Sequence, residues 1–343
     1  MKISIDNERK LIEEILKAYE VKEEEAKIVA DVISDGDLKG FSTHGLGRFP
    51  QYIKSIKAGT IKIDGDYEIE KETASSAMIN GNHKFGHYIT VKAMDLAVKK
   101  ASETGIGVVG IHDSNHYGIA GYYADLASLQ DMIGIVISNT EPAMAPFGGK
   151  KALLGTNPIT ISIPSDDIHN YICVDMATSI TARGTLLQAK RKGEEIPEGL
   201  ALDSEGKPTT DPEEGLNGSI LPFGGFKGYA LAFMFELLAG PLVGAECGEK
   251  VQGTATPEDM CTKGDLLIVI DPEHFAGQMQ FKFYVDQFVR HIREENGVIP
   301  GDREVENIRI NYENGINIDE TLHEQLNKIA DEKGLDIAQY FEE

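Results

Sequence analysis

The 343 residues carry 41% hydrophobic and 26% charged side chains, a globular balance that excludes wholesale disorder and suits about two domains with a substantial core. A net charge of −23 argues against nucleic acid or an anionic membrane surface as partner, since both would be repelled. Cys173, Cys247 and Cys261 are odd in number and unpaired in spacing, which excludes a disulfide framework or a four-cysteine zinc site and fits a reducing cytoplasm.

The opening MKISIDNERK alternates charge with apolar residues and has no signal-like apolar core. Residues 6–38 predict two amphipathic helices, with Leu11, Ile12 and Ile15 on one side of the first and Ile28, Val29, Val32 and Ile33 on one side of the second. Gly40 ends the pair. In the following FSTHGLGRFPQYI, Arg48 lies four residues beyond His44, so a helical turn would project both from one face. A guanidinium offers a planar fork for a carboxylate; the plainer reading is a helix start with an ordinary surface ion pair. Short strand-like runs occupy residues 59–81, with a domain boundary near residue 74.

A helix over residues 89–101 leads into a β-branched strand containing Val108, Val109 and Ile111. Asp113, Ser114 and Asn115 break that strand, and Ile119, Tyr122, Tyr123 and Leu126 then recur at helical spacing. This carries His116 from the carboxyl end of a strand into a helix start. An imidazole with an ordinary pKa near 6.5 can give or take a proton at neutrality there, although it could equally bond only its own turn. The run Gly105-Ile-Gly107-Val-Val-Gly110 matches GxGxxG, but it precedes its strand, where the dinucleotide fingerprint follows one. Gly105 therefore reads as a helix cap, with no phosphate assigned. His112 and His116 have a metal-like spacing, but turn residues separate them and no third ligand follows.

Residues 132–138 predict a strand that enters the long loop SNTEPAMAPFGGKKALLGTNP, in which Thr156 and Asn157 could meet a ligand or serve turn chemistry before Pro158. Strands are expected at 158–163 and 171–174. Asp175-Met-Ala-Thr-Ser179 then reads as the capped start of a helix running to about residue 190. The longest apolar run, residues 229–245, is interrupted by Glu236 and Pro241 and reads as a buried helix and its exit, because a membrane span needs about 20 mostly apolar residues. Just before it, Lys227 sits between glycines where a helix begins, adding charge to amides already suited to anions. A strand at 266–270, a helix at 280–293, a turn at 299–304 and a helical tail from residue 319 complete the chain.

THGLGR at 43–48, SNHYG at 114–118, SNTEPAMAPFGG at 138–149, LGTNP at 154–158, DMATS at 175–179, GFKGY at 225–229 and IPGD at 299–302 together resemble the malate/L-lactate dehydrogenase family of the second, non-Rossmann type. The similarity spans almost the whole chain and is greatest to its methanogen malate and sulfolactate branch, through TEPAMAPFGG and CTKGDL.

The resemblance implies an α/β fold in which a non-Rossmann nicotinamide-binding domain, residues 75–285, is built on a largely antiparallel sheet. A helical domain formed from both chain ends, residues 1–74 and 286–343, would join it, in a homodimer with sites near the subunit interface. It implies His116 as acid/base, Arg48 as the carboxylate binder and His44 beside it. Asn139, Thr156, Asp175, Met176, Ala177, Lys227, Pro300, Gly301 and Asp302 match cofactor-contacting motifs. Thr43 and Asp302 depart from the family's usual Ser and Glu. The implied partner is a small anionic 2-oxo or 2-hydroxy acid, and the cofactor NAD with NADP tolerated. Related reduction of a cyclic imine or ureidoglycolate chemistry, and a metal-dependent hydrolase or lyase using His44, His112 and His116, are the competing expectations.

Overall fold

The computed structural model describes residues 1–167 and 171–342. Its centre is a seven-stranded sheet in the spatial order β2 (Glu68–Glu72), β3 (Ser76–Asn80), β4 (Ile106–His112), β11 (Asp265–Ile270), β5 (Ile133–Ser138), β6 (Ile159–Ile163) and β7 (Ile172–Met176). Only β3 and β4 pair in parallel; the other five pairings are antiparallel. The molecule is thus α/β with a largely antiparallel sheet, not a doubly wound parallel one. The central strand, DLLIVI, is apolar on both faces because both are covered.

Helices α4 (Gly86–Thr104) and α5 (Ala120–Ser128) lie on one face, where Ile89, Ala93 and Tyr123 meet Leu267 and Val269. Helix α8 (Phe226–Ala239) lies on the other, where Phe235 meets Leu266. The glycine-rich 105–110 run serves this packing. Gly105 ends α4 in the left-handed region, at φ +86, and a Cβ on Gly107 would lie 1.9 Å from the carbonyl oxygen of Ala97. Helix and strand approach closely because Gly107 has no side chain.

A second core joins α1 (Ile5–Ala18), α2 (Glu23–Leu38), α3 (Phe49–Ala58) and α11 (Glu320–Asp331) through Leu11, Ile15, Ile33, Ile53 and Ile329. Strand β1 (Lys2–Ile3) sits between β12 (Ile316–Asn317) and β13 (Phe341–Glu342), both antiparallel, so the two ends of the chain share one small sheet. A side unit holds α6 (Arg183–Lys192), α7 (Pro212–Asn217) and the strands β8 (Ala201–Leu202), β9 (Pro208–Thr209) and β10 (Ser219–Ile220). Helix α9 (Gln278–Glu294) completes the main elements before residue 300.

Three local expectations change. Asp175 and Met176 end strand β7, and the helix expected from Asp175 begins only at Arg183; Asp175 caps a neighbouring helix, accepting from the Gly121 amide of α5 at 2.7 Å. The turn at 299–304 is short, and α10 (Asp302–Asn314) starts within it, docked on α2 by Asn307 and Asn311 side chains that donate to the carbonyls of Lys39, Asp37 and Leu38. His116 lies in an extended connector, since α5 begins four residues later at Ala120. The stretch Phe226–Val243, with mean hydropathy 1.3, has the length and composition to cross a membrane. One face of it packs on the sheet, and its buried Glu236 accepts from Asn139, Asn157 and the Gly248 amide.

Candidate active site

The loop between α2 and α3 is fixed from below. Asp37 accepts the Leu46 amide at 2.6 Å, and a Cβ on Gly45 would fall 2.1 Å from the Asp37 carboxyl carbon. Burial pushes the Asp37 carboxyl up to about 7. The glycine after His44 is therefore a steric requirement. Gly45→Ala is expected to cost about 1 to 3 kcal/mol by overpacking, read as a lowered melting temperature; an unchanged one would show that the loop can step aside.

The second wall is the connector after β4. Asn115 is buried and its Nδ2 donates to the carbonyls of Thr60, His83 and Lys84 at 3.2, 2.8 and 3.0 Å. A Cβ on Gly86 would collide with the Asn115 carbonyl at 2.1 Å, so the connector presses on the start of α4. Gly118, at φ +78, turns its amide back to His116 Nδ1 at 3.2 Å. This explains the spacing of SNHYG: the asparagine anchors, the glycine turns, and the histidine is held between them.

His116 and His44 stack with ring centroids 5.4 Å apart and planes inclined by 22°. The Tyr52 hydroxyl lies 2.7 Å from His116 Nδ1. A backbone amide can only donate, so Nδ1 accepts, and the neutral ring carries its proton on Nε2, the nitrogen left for a ligand. Burial holds His116 well below the ordinary imidazole range, helped by the positive charges of Arg48 and Lys263. Burial, then Arg48, lowers His44 to about 4. Arg48 bonds the Thr254 carbonyl, which Gln51 also reaches at 3.1 Å, and its buried Nε has no hydrogen-bond partner. A buried donor left unpaired is costly, so this N–H has an unmet demand for an acceptor.

His44 and His116 border a cavity of about 290 Å³ whose wall also includes Thr156, Asp175, Met176 and Ala177, and Arg48 and Tyr52 lie behind that wall. Arg48 stands beside the two histidines. The other expected residues are placed elsewhere. The Asn139 side chain is buried and spends its amide on Glu236, the Glu246 carbonyl and the Gly264 amide, while its neighbours Ser138 and Thr140 reach the cavity. Lys227 is exposed in the first turn of α8. The Pro300 carbonyl accepts from Cys173, a Cβ on Gly301 would meet the Tyr171 carbonyl, and Asp302 pairs with Arg293 at 2.7 Å. His112 is bonded on one ring nitrogen by Asp113 and on the other by Glu70, so it is not joined to His44 and His116.

Three residues of the site escaped the motif reading. Tyr52 could have been found, because it continues the four-residue spacing from His44 through Arg48. Thr254 gave no local signal, since its place depends on Glu141 accepting its amide and that of Ala255 at 2.7 and 3.0 Å. Lys263, buried and lining the cavity, pairs with Asp265, and the alternation of a strand places residues two apart on one side.

An α/β fold that holds a neutral histidine beside a guanidinium with one unpaired N–H is suited to moving a proton on a small anion. The malate/L-lactate dehydrogenase family model matches residues 3–327. The chain is 60% identical over 339 residues to a malate/(S)-sulfolactate dehydrogenase of Methanothermus fervidus, covering 98% of this chain and 99% of that one. It is 58% identical over 338 residues to an L-sulfolactate dehydrogenase of Methanothermobacter thermautotrophicus, covering 98% of each. The solved sulfolactate dehydrogenase of Methanocaldococcus jannaschii superposes with a TM-score of 0.95 at 50% identity over 100% of both chains. The chain belongs to the malate/L-lactate dehydrogenase family. It is a 2-hydroxycarboxylate dehydrogenase, an oxidoreductase acting on a CH–OH group, and the family implies a nicotinamide cofactor. The cavity suits that ring: Ile119, Pro158 and Ala177 offer apolar surface, and Ser138, Thr140 and Thr156 offer hydroxyls for an amide.

Proposed function

We propose that the chain interconverts an L-2-hydroxy acid and its 2-oxo acid, L-sulfolactate with sulfopyruvate or L-malate with oxaloacetate, using NAD and tolerating NADP. The nicotinamide, when bound, supplies or accepts the hydride at the carbon bearing oxygen. Arg48 holds the substrate carboxylate and fixes the face of the carbonyl presented. His116 donates a proton from Nε2 to the developing alkoxide in reduction and takes it back in oxidation. After the donation the remaining proton is on Nδ1, where the Tyr52 hydroxyl turns to accept it and the Gly118 amide gives up its bond; this Nδ1-protonated tautomer, with Nε2 bare, is the one that takes the proton back in oxidation. The cofactor reading rests on Thr156, Asp175, Met176 and Ala177 at the cavity, and extends to Asn139, Lys227, Pro300, Gly301 and Asp302, which lie outside its wall. A negative charge at Asp175 disfavours a 2′-phosphate, hence NAD.

One observation carries this reading. The His116 ring keeps Nε2 for a ligand, and the Arg48 guanidinium, close enough to act on the ring's charge, keeps an unpaired buried Nε. We also infer a cytoplasmic homodimer. Leu231, Met234 and Leu237 on α8 and Phe283 and Phe288 on α9 are each more than 40% exposed, an apolar surface suited to a second copy. The test is NADH and NADPH oxidation with oxaloacetate and sulfopyruvate in parallel, without added metal, on protein whose mass is measured by light scattering. Turnover with one of these acids by a particle of twice the chain mass is expected. Turnover confined to cyclic imines or ureidoglycolate, or activity abolished by a chelator and restored by zinc, would overturn it.

A further inference from the structure

Arg48 accounts for one anionic group of the substrate, and the chain as a whole is strongly acidic, so a second anion would need its own cation. The cavity contains one. Lys263 forms part of the wall, is only 2% exposed, and stands just before strand β11 on the side of the sheet that carries Tyr117 and α5. Its ammonium bonds both oxygens of Asp265, at 2.7 and 2.6 Å, and lies 4.3 Å from the centroid of the Tyr117 ring. An ammonium has three donors; two are spent on Asp265, and the third is left on a group that borders the cavity. Its charge reaches His116, the residue preceding Tyr117.

We propose that Lys263 is the specificity-determining residue for the second anionic group of the substrate, the sulfonate or carboxylate on the third carbon, with Asp265 holding it in place. This rests on the reading of the chain as a 2-oxo acid reductase. Arg48 and Lys263 then grip the two ends of a dianion, and the charge of each acts on the acid/base histidine. Asp265 keeps the ammonium from being an isolated buried charge when the cavity holds no anion.

A consequence distinguishes this role from a merely structural one. Burial and Arg48, then the neighbouring His44 and His87 rings, and last Lys263, whose charge Asp265 partly offsets, oppose the charged form of His116. A monoanionic acid neutralises Arg48 alone, whereas a dianion neutralises Lys263 as well. A dianionic substrate therefore makes protonation of His116 easier, and the pH above which reduction fails is higher for oxaloacetate or sulfopyruvate than for pyruvate or 2-oxobutanoate.

The experiment compares kcat/KM for these four acids with NADH in the wild type, in Lys263→Met, and in Lys263→Met/Asp265→Leu, which removes both buried charges in case the single variant leaves Asp265 stranded and does not fold. NADH binding by fluorescence checks each preparation. The ratio of dianionic to monoanionic kcat/KM is expected to fall roughly 10- to 100-fold, the value of one hydrogen bond to a charged group, with the four pH limits drawing together. A ratio and pH limits unchanged in either variant that binds NADH would overturn the assignment. A wild type that binds NADH and reduces none of the four acids would overturn the proposed function instead.

Discussion

His116→Ala is expected to lower turnover by about 10² to 10⁴, the usual value of general acid/base assistance, while dinucleotide binding stays within a few fold. The residue combines three properties that no neighbour shares. Its Nδ1 is committed to the Gly118 amide and the Tyr52 hydroxyl, so Nε2 is the reactive nitrogen. Burial and two nearby cations keep the free ring neutral, and stacking on His44 limits its tilt. The sign of the pH effect follows. In reduction the ring must first be charged, and the charged fraction falls tenfold per unit above its depressed pKa, so the reductive rate declines as pH rises. Oxidation needs the neutral ring in its Nδ1-protonated tautomer and improves with pH until the ring has lost its charge. The variant should lose both slopes. Retained slopes, or a loss of NADH binding equal to the loss of turnover, would remove His116 from the acid/base role.

Arg48→Ala is expected to reduce kcat/KM for the 2-oxo acid by about 10² to 10³, chiefly through KM, because truncating one partner of a desolvated charge pair costs roughly 2 to 5 kcal/mol. Arg48→Lys should recover little, since a point charge does not reproduce a planar fork. Its second effect has a fixed direction: removing a positive charge beside His116 raises the ring's pKa, so the reductive limb moves to higher pH in Arg48→Ala and less in Arg48→Lys. Arg48 also bonds the Thr254 carbonyl, which makes the melting temperature a necessary control. A variant with unchanged KM and an unmoved pH limb would show that another group holds the carboxylate.

The motifs identified the chemistry better than they identified the local backbone. His44, Arg48 and His116 were legible because they sit in short runs whose glycines are structurally required, Gly45 by its close approach to Asp37 and Gly118 by its positive φ and the nearness of Val32. The rejection of GxGxxG was legible for the same reason, since the order of strand and helix was visible in the residues. Asp175 misled because an acidic residue followed by threonine and serine looks like a cap, and the helix it caps comes from 54 residues earlier. Helix α10 was hidden because it has no buried residue and so carries no apolar stripe. Lys263 and Thr254 reach the site through strand register and loop docking between distant segments, which no local spacing records.

The small sheet that joins Lys2 to Asn317 and Glu342 bears on the order in which the molecule assembles. Closing so long a loop adds little to the entropic cost at equilibrium, because that cost grows only with the logarithm of length. It weighs on speed instead, since contacts so remote in the chain form late in folding. The layer that carries His44 and Arg48 is the layer those contacts complete, and the strand that leads to His116 likewise pairs with the remote β11. Both walls of the cleft therefore depend on remote pairings, and slow folding of the whole chain is the expected consequence.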